Sequence, residues 1–209
     1  MVTMTSIKTI TLETADIAAA RTFYDTAFGL GDRLALRESE APTSGFRGFT
    51  LSLIVSQPAG VHRLYDAAMD AGAESIKPVT KSMWGHGSVL RAPDGTVWQV
   101  ATSAKKDTGP DSGEIDDIVL LLGVSDMKAS KQFYVDHGLA VEKSYGSKYI
   151  EFASRPGEVT LAMYKRKGLA KTVGVDAEGG GSHRLVVGGD TEPFADPDGF
   201  EWETAANAG

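Results

Sequence analysis

The sequence predicts an α+β protein built as two related halves, and three observations carry that prediction. A strand, an Asp, a Phe-Tyr pair and a Gly-Leu pair occur in the same order twice, about half a chain apart. A Pro-Asp-Gly turn followed by a Trp-bearing strand also occurs twice, and a polar stretch separates the two copies. With 209 residues, the chain is long enough for one large core or two small ones.

The first half, residues 1–104, opens with an apolar strand over 7–13. Asp16 follows at a helix N-cap position, where its short acceptor side chain meets free backbone N–H groups. The helix carries Phe23 and Tyr24 and ends near Gly29-Leu30. A strand over 46–56 leads to a second helix over 58–71, whose apolar stripe is Val61, Leu64, Tyr65, Ala68 and Met69 and which stops at Gly72. Strands over 74–79 and 87–91 precede Ala92-Pro93-Asp94-Gly95. In that turn Pro fixes φ, Asp bonds its own backbone and Gly supplies positive φ. The alternating strand beyond it holds Trp98 and Gln99.

Residues 105–114 are Lys, Asp, Gly, Ser, Thr, Pro and Glu only and read as a linker. The second half, residues 115–209, repeats the opening text with a strand over 118–122, Asp126, Phe133-Tyr134 and Gly138-Leu139. Strands over 140–145, 148–153 and 158–164 follow, and Lys165-Arg166-Lys167 reads as a solvated turn. A glycine-rich stretch over 179–182 leads into a strand over 183–187. The chain then runs quickly to Asp196-Pro197-Asp198-Gly199, so this half lacks a second helix.

Composition excludes several classes. The 28 acidic and 21 basic residues give a net charge of −7, against the clustered basic surface that nucleic acid requires. With no cysteine there are no disulfides, thiolate metal sites or cysteine nucleophiles. No signal peptide or long apolar run is found, so the expectation is a soluble, cytoplasmic chain without membrane or nucleic-acid partners.

The ordered combination resembles the vicinal oxygen chelate superfamily, which includes glyoxalase I, bleomycin-resistance proteins and type I extradiol dioxygenases. The resemblance spans both halves. Trp84-Gly85-His86-Gly87 ahead of the first Pro-Asp-Gly turn looks like the Trp-Gly-Gly stretch of many members. It implies tandem βαβββ modules forming curved half-barrel sheets around a small-molecule cavity. A fold of this kind names no reaction by itself.

The resemblance also implies registers for the ligands of one divalent metal, which needs imidazole and carboxylate donors plus open positions to hold substrate oxygens. In the first half those registers carry Thr9, Thr50 or Ser52, and Gln99, a weak set. In the second half the first-strand register falls on Val119, with Asp117 on the same face. His183 stands seven residues before Asp190, and Glu203 four beyond Gly199. His183, Glu203 and Asp117 are therefore the candidate metal ligands, and Glu203 is also the candidate catalytic base. Thr9, Thr11, Thr50, Trp84, His86 and Gln99 are the candidate ligand-binding residues, an aromatic wall with neutral polar groups suited to a planar or amphipathic molecule. His62 falls on a surface helix position, and His137 reads as a helix C-terminal cap.

Three functions follow. The leading one is a metal-free binder of a small aromatic or amphipathic ligand, of the bleomycin-resistance type and with no cofactor. The alternatives are a divalent-metal lyase, isomerase or extradiol-type dioxygenase, and a degenerate scaffold without ligand. Homodimer formation through exposed sheet edges stays open.

Overall fold

Two aspartates start the helices that the repeated text specifies. In the computed structural model, which describes residues 5–206, Asp16 accepts a hydrogen bond from the Ala19 N–H at 2.9 Å and caps α1 (Ile17–Ala27). Asp126 accepts from Lys128 and Ala129 and caps α3 (Met127–Asp136). Each cap contributes about 1 kcal/mol. Gly29 and Gly138 follow the two helices with φ of 60° and 89°, a backbone turn that side chains with a Cβ resist. The outermost residues of the two halves, 1–4 and 207–209, lie outside the described residues.

The first half continues from β1 (Ile7–Thr14) and α1 through β2 (Leu34–Glu38), β3 (Thr43–Gly45) and β4 (Phe49–Ile54). It then runs through α2 (Pro58–Asp70), β5 (Glu74–Ser82), β6 (Gly85–Arg91) and β7 (Val97–Thr102). The second half comprises β8 (Asp117–Val124), α3, β9 (Val141–Ser144), β10 (Ile150–Phe152), β11 (Thr160–Lys165) and α4 (Arg166–Val173). It ends with β12 (Gly179–Gly181), β13 (Leu185–Gly189), β14 (Phe194–Ala195) and β15 (Glu201–Thr204).

These strands form two curved mixed sheets and a small ribbon. The larger has the order β5-β6-β7-β4-β8-β11-β10-β9. It joins two complete βαβββ modules, β4-α2-β5-β6-β7 and β8-α3-β9-β10-β11, through antiparallel pairing of β4 with β8. The smaller has the order β14-β15-β13-β1-β2, with β1 antiparallel to β13, and β3 pairs with β12. Each half thus supplies strands to both sheets. The sequence cannot display this, because strand partners are chosen between distant segments.

Alternation along the strands gives each sheet an apolar face. Leu51, Leu53, Leu90, Trp98, Leu120 and Leu122 are almost wholly buried in a core shared with α1, α2 and α3. The segment read as a linker packs down on α2. Asp107 accepts from the Ala59 N–H at 2.8 Å, the Gln57 amide donates to the Gly109 carbonyl, and Arg63 pairs with Asp111 at 2.5 Å.

One expectation needs correction. No helix lies between β13 and β14, but the second half does contain a second helix, α4, beginning at the basic run that reads as a solvated turn. An eight-residue helix containing Gly168 is not stable from propensity alone. Burial supplies the rest, because Leu169, Ala170 and Val173 pack on Phe46, Val89, Val97, Leu121 and Ala162. Arg166 is not solvated either: it donates to the Ala177 and Phe46 carbonyls and lies 5.2 Å above the Phe46 ring. At the far end Lys77 donates to the Thr172 carbonyl at 2.6 Å, placing a cation at the helix C-terminus. The cluster that α4 joins lies on the inner face of the eight-stranded sheet, opposite the helices α1 to α3.

Candidate functional site

The inner face of the eight-stranded sheet is read from its register. Val89, Gln99, Ser52, Val119 and Thr160 are consecutive partners across five strands, so their side chains share one face. Three of the positions located by counting, Gln99, Ser52 and Val119, therefore fall in a single row. Gln99 donates to the Thr50 hydroxyl at 3.0 Å from the same face. Helix α4 covers the centre of this surface. Beside it a cleft of about 730 Å³ remains open, lined by Lys77, Thr80, Trp84, Gln99 and, from α4's end, Thr172.

His86 also borders the cleft, but it pairs with Thr102 and shares a pleat face with Leu90 rather than with Gln99. Its Nδ1 lies 3.2 Å from the Ala104 carbonyl. Trp84 stands in the turn between β5 and β6 and is 80% exposed, next to Met83 at 73%, so it flanks the cleft rather than forming a packed wall.

Thr9 and Thr11 belong to the other sheet. Thr9, Gly188 and Glu203 form a row across β1, β13 and β15, and buried Thr11 lies in the next row with Val186. The predicted ligand-binding set is therefore divided, with Thr9 and Thr11 on one sheet and Thr50, Trp84, His86 and Gln99 on the other. Glu203 is held by Arg37, whose Nη2 reaches both carboxylate oxygens at 2.8 and 3.0 Å.

The candidate metal ligands do not converge. His183 precedes β13 rather than lying in it, because Arg184 adopts φ 56° and breaks the alternation that the count assumes. The residue beside Glu203 is consequently Gly188. The His183 ring stacks on Phe200 with centroids 4.0 Å apart. Its Nδ1 lies 2.7 Å from the Arg47 carbonyl and its Nε2 3.0 Å from the Asp198 carbonyl, so the ring is wedged between two backbone oxygens. Asp117 lies on the eight-stranded sheet, accepting from the Thr160 hydroxyl at 3.1 Å, and burial raises its pKa. Among the described residues no three His, Asp or Glu side chains gather to hold a metal ion. A divalent ion does not fit this donor set. The remaining histidines keep structural positions: His62 is exposed on α2, and His137 caps α3 between the Phe133 and Phe194 rings.

Counting along the sequence misses Lys77, Thr80 and Thr172 as cleft residues. Thr172 had no signal, since α4 itself is unread. Lys77 and Thr80 lie on an exposed edge strand, where charge and polarity look like ordinary solvation.

The sequence matches no protein-family model and no curated protein. Its structure is similar to glyoxalase I from Zea mays, at 13% identity and a TM-score of 0.61, over 95% of this chain and 91% of that one. It is similar to a putative dioxygenase from Bacillus subtilis subsp. subtilis str. 168 at 9% identity and a TM-score of 0.62, over 98% and 86% of the two chains. A glyoxalase/bleomycin resistance protein/dioxygenase family enzyme from Burkholderia phytofirmans PsJN aligns with 47% of this chain and 99% of its own, at 22% identity and a TM-score of 0.43. The chain thus has a glyoxalase-like fold. No helix among the described residues is long and apolar enough to cross a membrane.

Proposed function

We propose that this chain is a metal-independent small-molecule-binding protein of the glyoxalase/bleomycin-resistance type, taking a small aromatic or amphipathic ligand in the cleft between α4 and β5–β7. One observation carries this reading. The cleft stays open on the inner face of the sheet and presents neutral Gln99, Thr80 and Thr172 beside apolar Ile54, Val89 and Ala101. Such a surface recognises a planar or amphipathic body through area and a few directed hydrogen bonds. The carboxylate and imidazole that a metal-dependent reaction would use lie apart, Glu203 paired with Arg37 and the His183 ring between two backbone carbonyls and against Phe200.

A specific observation also favours the scaffold reading. The apolar side of α4 fills much of the same face, leaving less room for a ligand than an uncovered sheet would.

Thermal-shift screening against planar antibiotics and aromatic metabolites separates the two, because a molecule that binds only the folded state raises its stability. A binder gives stabilisation that Gln99→Leu weakens. Absence of any shift across a broad panel leaves the scaffold. Stoichiometric uptake of a divalent ion that His183→Ala abolishes would overturn the metal-independent reading.

A further inference from the structure

Charge is distributed unevenly around the Gln99 cleft. Apart from Ile54, its lining comes from three segments, residues 75–90, 97–106 and 165–175. All 28 acidic residues of the chain lie outside these segments, so a cationic surface lines the cleft of a protein with net charge −7. Five lysines stand in or beside the lining. Lys77 belongs to it, Lys171 adjoins Thr172, and Lys81 immediately precedes Ser82. Lys105 and Lys106 follow Ser103, and the His86 ring keeps that segment against β6, with Nδ1 3.2 Å from the Ala104 carbonyl.

None of these five lysines forms an ion pair among the described residues. The acids nearby in the chain or sheet are turned to other partners. Asp107 accepts from the Ala59 N–H, and Asp117, one strand beyond Ile54, accepts from the Thr160 hydroxyl. Lys77 is also held in place. Its ammonium donates to the Thr172 carbonyl at 2.6 Å, and its stem crosses the end of α4 at Gly174, where a Cβ would lie 2.7 Å from the Lys77 Cε. That bond uses one of the ammonium's three donors. The same cleft offers the Thr80 hydroxyl, apolar Val89 and Ala101, and the 80% exposed Trp84 ring at its flank. Charges more than about 8 Å away are largely screened at physiological ionic strength, so these lysines, not the net charge, set the sign at the cleft.

We propose that the Gln99 cleft selects an amphipathic organic anion, with its acid group at the Lys77 ammonium and its apolar body against Val89, Ala101 and Trp84. The inference rests on the reading of this cleft as a binding site and adds the charge of what it takes. An anion gains a charge-assisted hydrogen bond there and displaces no internal ion pair. A cation of the same shape meets like charges and no carboxylate.

An amide-resolved NMR titration of the full chain tests it with cinnamate, cinnamamide and cinnamylamine, probes of one shape carrying negative, no and positive charge. Cinnamate is expected to give saturable shifts at residues 77–89, 99–103 and 172, and to bind about tenfold more tightly than cinnamamide. Cinnamylamine is expected to give none. Added salt should weaken cinnamate and leave cinnamamide unchanged. Lys77→Gln should weaken cinnamate several-fold and cinnamamide hardly at all, which a merely structural loss would not do. Because Lys77 also holds the end of α4, the paired change of exposed Lys105→Gln and Lys106→Gln is the second variant, expected to weaken cinnamate about twofold. Comparable binding of all three probes would keep the cleft as a binding site and overturn its preference for anions. Cinnamate shifts elsewhere in the fold, no shifts with any probe, or an unchanged ratio of cinnamate to cinnamamide affinity in both variants would also overturn the proposal. Whether the cleft binds a ligand at all is decided separately by the thermal-shift panel.

Discussion

The two halves bury the same pair of aromatic residues but anchor them differently. In the second half the Tyr134 hydroxyl donates to Asp196 at 2.8 Å and receives the Trp202 indole N–H at 3.4 Å. Asp196 also accepts the N–H groups of Asp198 and Phe200, both at 2.9 Å. In the first half Ala92 stands where Asp196 does, and Tyr24 turns to the next acid in the motif, Asp94, at 2.8 Å, with the Trp98 N–H at 3.2 Å. The counterpart of Asp94, Asp198, is thereby released to accept from the backbone and hydroxyl of Ser125. One residue decides which acid holds the aromatic core and whether a second is left to fasten a neighbouring loop. Burial pushes both tyrosines well above the usual phenol range, with the neighbouring carboxylates adding to it, and both stay neutral donors.

The largest break in this comparison is expected from Asp196→Ala, which gives the second half the first half's Ala-Pro-Asp-Gly text. It strands three donors, one of them a buried hydroxyl, and should cost about 3 kcal/mol in denaturant unfolding. A loss under 1 kcal/mol would mean that Asp198 takes over Tyr134 as Asp94 holds Tyr24. Asp94→Ala strands the Tyr24 hydroxyl and the Thr96 N–H and should cost about 2 kcal/mol. Tyr24→Phe and Tyr134→Phe each remove one buried hydroxyl and should cost about 1 kcal/mol, equally in the two halves. Unequal losses would show that the acids, not the tyrosines, set the difference.

The smallest effect is in pH. Burial raises the pKa of Asp196 above 3.8, so the folded state binds its proton more tightly than the unfolded chain does. That contribution is fully present below pH 3.8 and is lost as pH rises through the higher folded value. Asp196→Asn does not titrate, so the wild type's stability relative to this variant should fall across that window in matched unfolding curves.

Local chemistry made much of the fold legible. Asp16, Asp126 and the two Pro-Asp-Gly turns act within a few residues of themselves, and the helices and strands they bound lie where they predict. Non-local choices were not legible. Pairing of β1 with β13 and of β4 with β8 depends on faces that only the folded chain brings together. Helix α4 depends on a sheet surface for its stability, and no periodicity in eight residues reveals that. For the candidate site, counting placed Gln99, Ser52 and Val119 in one row because β4, β7 and β8 are regular there. It failed at His183 because one backbone angle, at Arg184, lies outside the pattern that counting requires.

The position of β13 between β1 and β15 also sets an order of assembly during synthesis. All eight strands of the larger sheet precede it in the chain and can close while β1 and β2 still lack their central partner. Until the ribosome delivers β13, β1 offers an unsatisfied ladder edge to any passing strand. A released chain truncated just before residue 185 would thus hold every strand of the eight-stranded sheet beside a template for misassembly.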